Sequence, residues 1–122
     1  MADKLFIYIK PTCSTCRKAV ALLEELKVVY EPIDYFAHPL SKEKWSILLK
    51  KIGLKPSEIL RTKEEAYSRL GIAKFQYLDE ALLDIIASHP EIIQRPIVEY
   101  KDKAILGRPP EKIREFVLSL QS

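Results

Sequence analysis

The sequence predicts an α/β fold, a mixed sheet of about four strands with a helical stretch inserted into it, and three observations carry that reading. An apolar run of β-favouring residues, Leu5-Phe6-Ile7-Tyr8-Ile9, passes directly into helical spacing. The stretch from Ser41 to His89 keeps helical periodicity throughout, and the tail then returns to strands before a closing helix.

The first run reads as a buried strand, because an unbroken apolar series leaves no face for water. Ala19, Leu22, Leu23 and Leu26 then fall at i, i+3, i+4 and i+7, one stripe of a helix that starts near Cys13. Val28 to Asp34 predicts a second strand, with Pro32 marking an edge or an ending. Strand, helix and strand make a βαβ unit, and a crossover of that length implies parallel pairing. Tyr35 to Leu40 breaks the pattern, and His38 within it reads as a surface residue.

Ser41 is placed to cap a helix whose stripe is Trp45, Leu48, Leu49 and Ile52 and which Gly53 ends. Pro56 to Leu60 reads as a short turn. Thr62-Lys63-Glu64-Glu65 matches a capping box and predicts a brief helix ending at Gly71. Asp79 is expected to cap a third helix, with Leu82, Leu83 and Ile86 inward, that ends before Pro90. Arg95 to Tyr100, a Lys101-Asp102 turn and Ala104 to Gly107 predict a hairpin. In Arg108-Pro109-Pro110-Glu111 a proline suits the first position of the last helix, whose stripe is Ile113, Phe116, Val117 and Leu120. No repeat or linker interrupts the chain, so residues 1–122 are expected to form one domain, with residues 41–89 as a helical insertion within it.

Composition narrows the function. The 122 residues are 48% hydrophobic and 30% charged with a net charge of +3, which marks an ordered domain and argues against a nucleic-acid partner. Lys and Glu alternate along Ser41 to Lys44 and Thr62 to Glu65, a solvated surface rather than a basic face. No apolar run approaches the length of a membrane span, and Met1-Ala2-Asp3-Lys4 leads into the first strand without a signal-peptide pattern. The expectation is a cytoplasmic protein, in a compartment where Cys-x-x-Cys is more often catalytic than structural.

Chemistry concentrates in Lys10-Pro11-Thr12-Cys13-Ser14-Thr15-Cys16-Arg17-Lys18. Cys13 falls at the helix N-terminus, where backbone N–H groups favour a thiolate, and Lys10, Arg17 and Lys18 add cations nearby, so Cys13 is the expected nucleophile. Cys16, one helical turn on, is placed to resolve intermediates formed on Cys13 as a disulfide. A pair of buried thiols and a zinc half-site are the alternatives. A zinc site would need a second pair of ligands, and His38 and His89 stand apart, so no metal is expected. Arg61, just before the capping-box sequence, fits either an anion-holding guanidinium or a solvated charge.

The element order, with Cys-x-x-Cys at the first helix, resembles the thioredoxin superfamily and, more narrowly, the arsenate reductase (ArsC) and Spx family. Pro11-Thr12-Cys13, Leu60-Arg61, Arg95-Pro96-Ile97 and Gly107-Arg108-Pro109 carry that resemblance, which spans Leu5 to Leu120. It implies a thioredoxin/glutaredoxin-like sheet and a cysteine, here Cys13, that attacks arsenate. It also implies that arginines at the positions of Arg61, Arg95 and Arg108 hold the oxyanion, and that Pro96 is the cis proline of the fold. No bound cofactor is implied; glutathione with glutaredoxin, or thioredoxin, would serve as reductant. Physically, a thiolate approaches an anionic tetrahedral oxyanion only where cations and N–H donors offset the repulsion between them.

The chain departs from the family pattern twice. Ile9 stands where the arsenate reductases carry a histidine, so that Lys10 is a candidate to activate the thiol, and Cys16 stands where they usually carry serine. Two other readings follow from Cys-x-x-Cys: an Spx-like redox-sensing regulator that binds RNA polymerase, and a glutaredoxin-like thiol-disulfide oxidoreductase. Arg61 and Arg108 argue against the first, and three arginines suited to one oxyanion argue against the second. Arg95 has a plainer alternative as a salt-bridge residue at a strand end.

Overall fold

The computed structural model describes residues 4–120 and divides into two compact units, one running up to Tyr35 and resuming at Arg95, the other spanning Phe36–Gln94. In the first, β1 (Leu5–Ile9), α1 (Ser14–Glu25), β2 (Tyr30–Asp34), β3 (Ile97–Tyr100), β4 (Lys103–Leu106) and α6 (Glu111–Leu120) follow one another, with the second unit's elements between β2 and β3. The sheet has four strands in the order β2-β1-β3-β4. β1 and β2 are parallel, with Leu5 opposite Tyr30 and Ile9 opposite Asp34, as the βαβ reading expects. β3 runs antiparallel to both β1 and β4, and the tight turn between β3 and β4 holds Lys101 at φ 54°.

Alternation divides the sheet into two faces. Leu5, Ile7 and Val98 join Ala19 and Leu23 of α1 and Ile113, Phe116 and Val117 of α6 in one core, all of them buried. The two amphipathic helices therefore cover one side of the sheet, and Cys13 stands at the end of the first of them. Leu23 is fully buried. Leu23→Ala should lower unfolding stability by about 2–5 kcal/mol, read from the shift in a urea midpoint at constant m-value. The other face carries Tyr8, Ile97 and Glu99, also buried, with the Tyr8 hydroxyl donating to the Glu99 carboxylate.

The second unit contains α2 (Lys42–Ile52), α3 (Glu65–Arg69), α4 (Ile72–Phe75), α5 (Asp79–Ser88) and two short 3₁₀ turns, Pro56–Ile59 and Pro90–Ile92. Ser41 caps α2 as expected, its hydroxyl accepting from the Lys44 N–H at 3.0 Å, and Gly53 ends the helix at φ 87°, where a side chain would be strained. Trp45, Leu48 and Leu49 are buried with Leu82, Leu83 and Ile86, and α2 packs against α5.

Three helix starts differ from expectation. Thr62 makes no capping box: Glu64 donates its N–H to the Arg61 carbonyl at 3.1 Å, so residues 61–64 form a turn and α3 starts only at Glu65. The cause is tertiary, since Leu60 bridges to Ile93 and the Arg61 N–H is bonded to the Ile92 carbonyl at 2.6 Å, which fixes the backbone just before that turn. Asp79 is the first residue of α5 and not its cap; Leu78 occupies the cap without a side-chain hydrogen bond, and Asp79 and Glu80 favour the helix through its dipole instead. α6 starts at Glu111, so Pro109, which follows a cis peptide bond, lies before the helix.

Candidate active site

Cys13 is the N-cap of α1, with extended backbone angles (φ −80°, ψ 123°), and α1 lacks acidic residues in its first turn. The turn into the helix is closed by the Cys13 N–H on the Lys10 carbonyl at 2.9 Å, and the helix by the Arg17 N–H on the Cys13 carbonyl at 3.0 Å. The sulfur is thus carried at the positive end of a twelve-residue helix with no carboxylate beside it to cancel the field. Cys13 is half-buried, Cys16 is fully buried one turn on, and both are thiols.

The two sulfurs titrate apart. Burial pushes the Cys13 thiol up, but the Cys16 backbone N–H, the Cys16 thiol and the Arg95 guanidinium, by hydrogen bonding and by charge, outweigh it and bring it down to about 7. No formal side-chain capping bond closes on the sulfur, so the Cys16 amide acts as a dipole directed at it. Burial pushes the Cys16 thiol up to about 11 and proximity to Cys13 adds to this, against the Lys10 backbone and the Arg95 charge, which pull it down. Near neutral pH Cys13 is therefore the thiol that ionises, while Cys16 stays protonated.

Arg95 comes to the sulfur from two residues before β3, and is itself 6% exposed. A guanidinium at that depth is held for its charge and its donors rather than for solvation. The Arg95-Pro96 peptide bond is cis, the form the resemblance implies for Pro96. Arg108, just past β4, donates from Nη1 to the Arg95 carbonyl at 3.3 Å, which ties the two arginines together. Gly107 allows this approach: a Cβ there would meet Ile113 Cδ1 at 2.8 Å and Pro96 Cγ at 3.2 Å, while its N–H bonds to the Pro96 carbonyl at 2.8 Å.

The expected site residues are thus placed unevenly. Cys13, Cys16, Arg95 and Arg108 form a connected group in the first unit. Arg61 belongs to the second unit, where its Nε lies 3.8 Å from Glu64 Oε2 and its side chain is 30% exposed. Cys16 and Arg95 bring the Cys13 pKa down, where the sequence pointed to Lys10, Arg17 and Lys18. Lys10 takes part through its backbone, toward Cys16 and toward the Cys13 N–H. Exposed Arg17 instead borders a groove of about 280 Å³ with Ile9, Pro11, Cys16, Val20 and Pro32. Among the described residues, no group of three or more His, Cys, Asp or Glu is arranged to hold a metal ion, and no helix is long and apolar enough to cross a membrane.

The buried Tyr8–Glu99 pair escapes a reading by residue type. Burial and the Glu99 carboxylate hold the Tyr8 hydroxyl well above the usual tyrosine range. The signal was a lone acid inside the apolar run Ile97 to Tyr100.

Known proteins share this arrangement of elements. The chain is 36% identical over 108 residues to an arsenate reductase of Neisseria meningitidis, covering 88% of this chain and 92% of the relative. It is 36% identical over 118 residues to the uncharacterized protein YfgD of Escherichia coli, covering 96% and 99%. The solved structure of an arsenate reductase from Vibrio cholerae superposes with a TM-score of 0.88 at 37% identity, over 94% of this chain and 98% of that one. The family model for ArsC matches residues 8–116, and with the thioredoxin-like sheet and the Cys13 helix in place, the chain belongs to the ArsC family.

Proposed function

We propose that the chain is an arsenate reductase, a thiol oxidoreductase that reduces arsenate to arsenite with Cys13 as the nucleophile. The observation that carries this reading is the half-buried thiol with a pKa near 7, facing a buried guanidinium. The Cys13 thiolate attacks arsenic, an oxygen leaves as water, and a sulfur–arsenic bond forms. A second thiol then attacks the Cys13 sulfur; a disulfide forms, and the sulfur–arsenic electron pair passes to arsenic, reducing it from the pentavalent to the trivalent state. Arsenite leaves, and external thiols reduce the disulfide.

The arginines supply what this path needs. Arg95 and Arg108 offer planar donor forks that match the oxygens of a tetrahedral anion and offset its repulsion from the thiolate. Arg61 is assigned as a third holder on the family resemblance alone, and Arg61→Ala tests it by a rise in KM for arsenate.

Cys16 is assigned as an internal second thiol. It follows Cys13 by three residues, one helical turn on, and burial and proximity to Cys13 raise its pKa. The test is a coupled turnover assay with arsenate and either glutathione plus glutaredoxin or thioredoxin. Cys16→Ser should lose turnover with thioredoxin and keep it only where glutathione is present. Equal turnover of the variant with thioredoxin removes Cys16 from the cycle, and wild-type inactivity with both reductants overturns the arsenate reading itself.

A further inference from the structure

An oxyanion such as arsenate makes no use of an apolar wall, yet the groove beside Cys16 is bounded by Ile9, Pro11, Val20 and Pro32. Its volume, about 280 Å³, is just below the range of about 300–1,000 Å³ typical of drug-sized ligands, which suits a small branched or aromatic group. The groove's lining includes Cys16, whose thiol is hydrogen-bonded to the Cys13 sulfur, so the groove lies one side chain away from the reactive thiolate.

We propose that the same two cysteines also reduce organic hydroperoxides, with the organic group held in this groove. The terminal oxygen of ROOH is attacked by the Cys13 thiolate: a sulfur–oxygen bond forms, the O–O bond breaks, and RO⁻ leaves and takes a proton from water as ROH. Cys13 is then a sulfenic acid. The Cys16 thiol attacks that sulfur, its proton leaves with the hydroxyl as water, and the Cys13–Cys16 disulfide forms. An external dithiol reduces the disulfide by exchange, so two electrons pass from dithiol to hydroperoxide in each cycle. Arg95 donates at the sulfur and is placed to stabilise charge on the departing oxygen.

The inference shares Cys13 as nucleophile with the arsenate reading and uses neither Arg61 nor Arg108. The test follows loss of cumene hydroperoxide and of hydrogen peroxide under dithiothreitol, beside an arsenate assay on the same preparation. The wild-type kcat/KM should be at least about tenfold higher for cumene hydroperoxide, equivalent to about 1.4 kcal/mol. Val20→Thr, which keeps the shape and adds a hydroxyl, and Ile9→His should both shrink that ratio, and Cys13→Ser should abolish both reactions. Hydroperoxide loss no faster than with dithiothreitol alone overturns the proposal, and arsenate turnover in the same preparation would leave the arsenate reading standing. A wild-type ratio near one, or a ratio unchanged in both groove variants, overturns the role given to the groove.

Discussion

Cys13→Ser should leave no arsenate turnover with either reductant while the protein stays folded. The substitution keeps the size of a half-buried side chain at a helix cap, and serine is itself a favoured cap, so stability should change little. The chemistry, in contrast, loses two steps at once. A serine hydroxyl does not ionise near neutral pH, and an oxygen-linked adduct has no sulfur for a second thiol to attack, so electrons have no route to arsenic. Arsenite release in a coupled assay, with circular dichroism as the folding control, reads the result. Turnover within about tenfold of wild type would remove Cys13 as the nucleophile.

Arg95→Met should produce the next largest loss, in two separable measurements. Methionine fills much of the buried volume and removes the charge. Without that charge and its hydrogen bonds, the Cys13 pKa moves up from about 7 toward the ordinary thiol value. The sign is fixed by the thiolate being the reactive form. In wild type, alkylation of Cys13 by iodoacetamide rises with pH to half its plateau near 7; in the variant the midpoint lies higher, and below pH 7 the rate falls about tenfold per unit of displacement. Arsenate kcat/KM should fall further, by about 10²–10³, because an oxyanion donor is lost as well. An unmoved alkylation midpoint would show that helix and Cys16 alone set the thiol, contrary to the assignment of Arg95.

Where local chemistry decides, the sequence was readable. The apolar run of β1, the Ser41 cap and the Gly53 stop rest on residues whose preferences are met in the fold, and the Lys101-Asp102 turn closes its hairpin although Lys101 takes a positive φ. Where contacts from afar decide, it was not. Thr62-Lys63-Glu64-Glu65 has the residues of a capping box, but the Leu60–Ile93 bridge fixes the backbone before it, and no local pattern reports that bridge. The site divides in the same way. Cys13 and Cys16 were legible from spacing and from their place at a strand-helix junction. The cations beside them in sequence, Lys10, Arg17 and Lys18, were credited with an effect that belongs to Arg95, which reaches the sulfur from 82 positions away along the chain, 95 less 13. Proximity in sequence placed the charge wrongly; the family resemblance placed Arg95 at the site.

The hydrogen bond from Arg108 to the Arg95 carbonyl ties a side chain on one residue to the backbone of the other. Removing the Arg108 side chain releases the Arg95 backbone, whereas Arg95→Met keeps the carbonyl that accepts the bond, so of the two only Arg108→Ala should break this tie. Selection acting on this corner would then see the two codons unequally: a change at Arg108 disturbs both residues, and one at Arg95 leaves its neighbour's anchor in place.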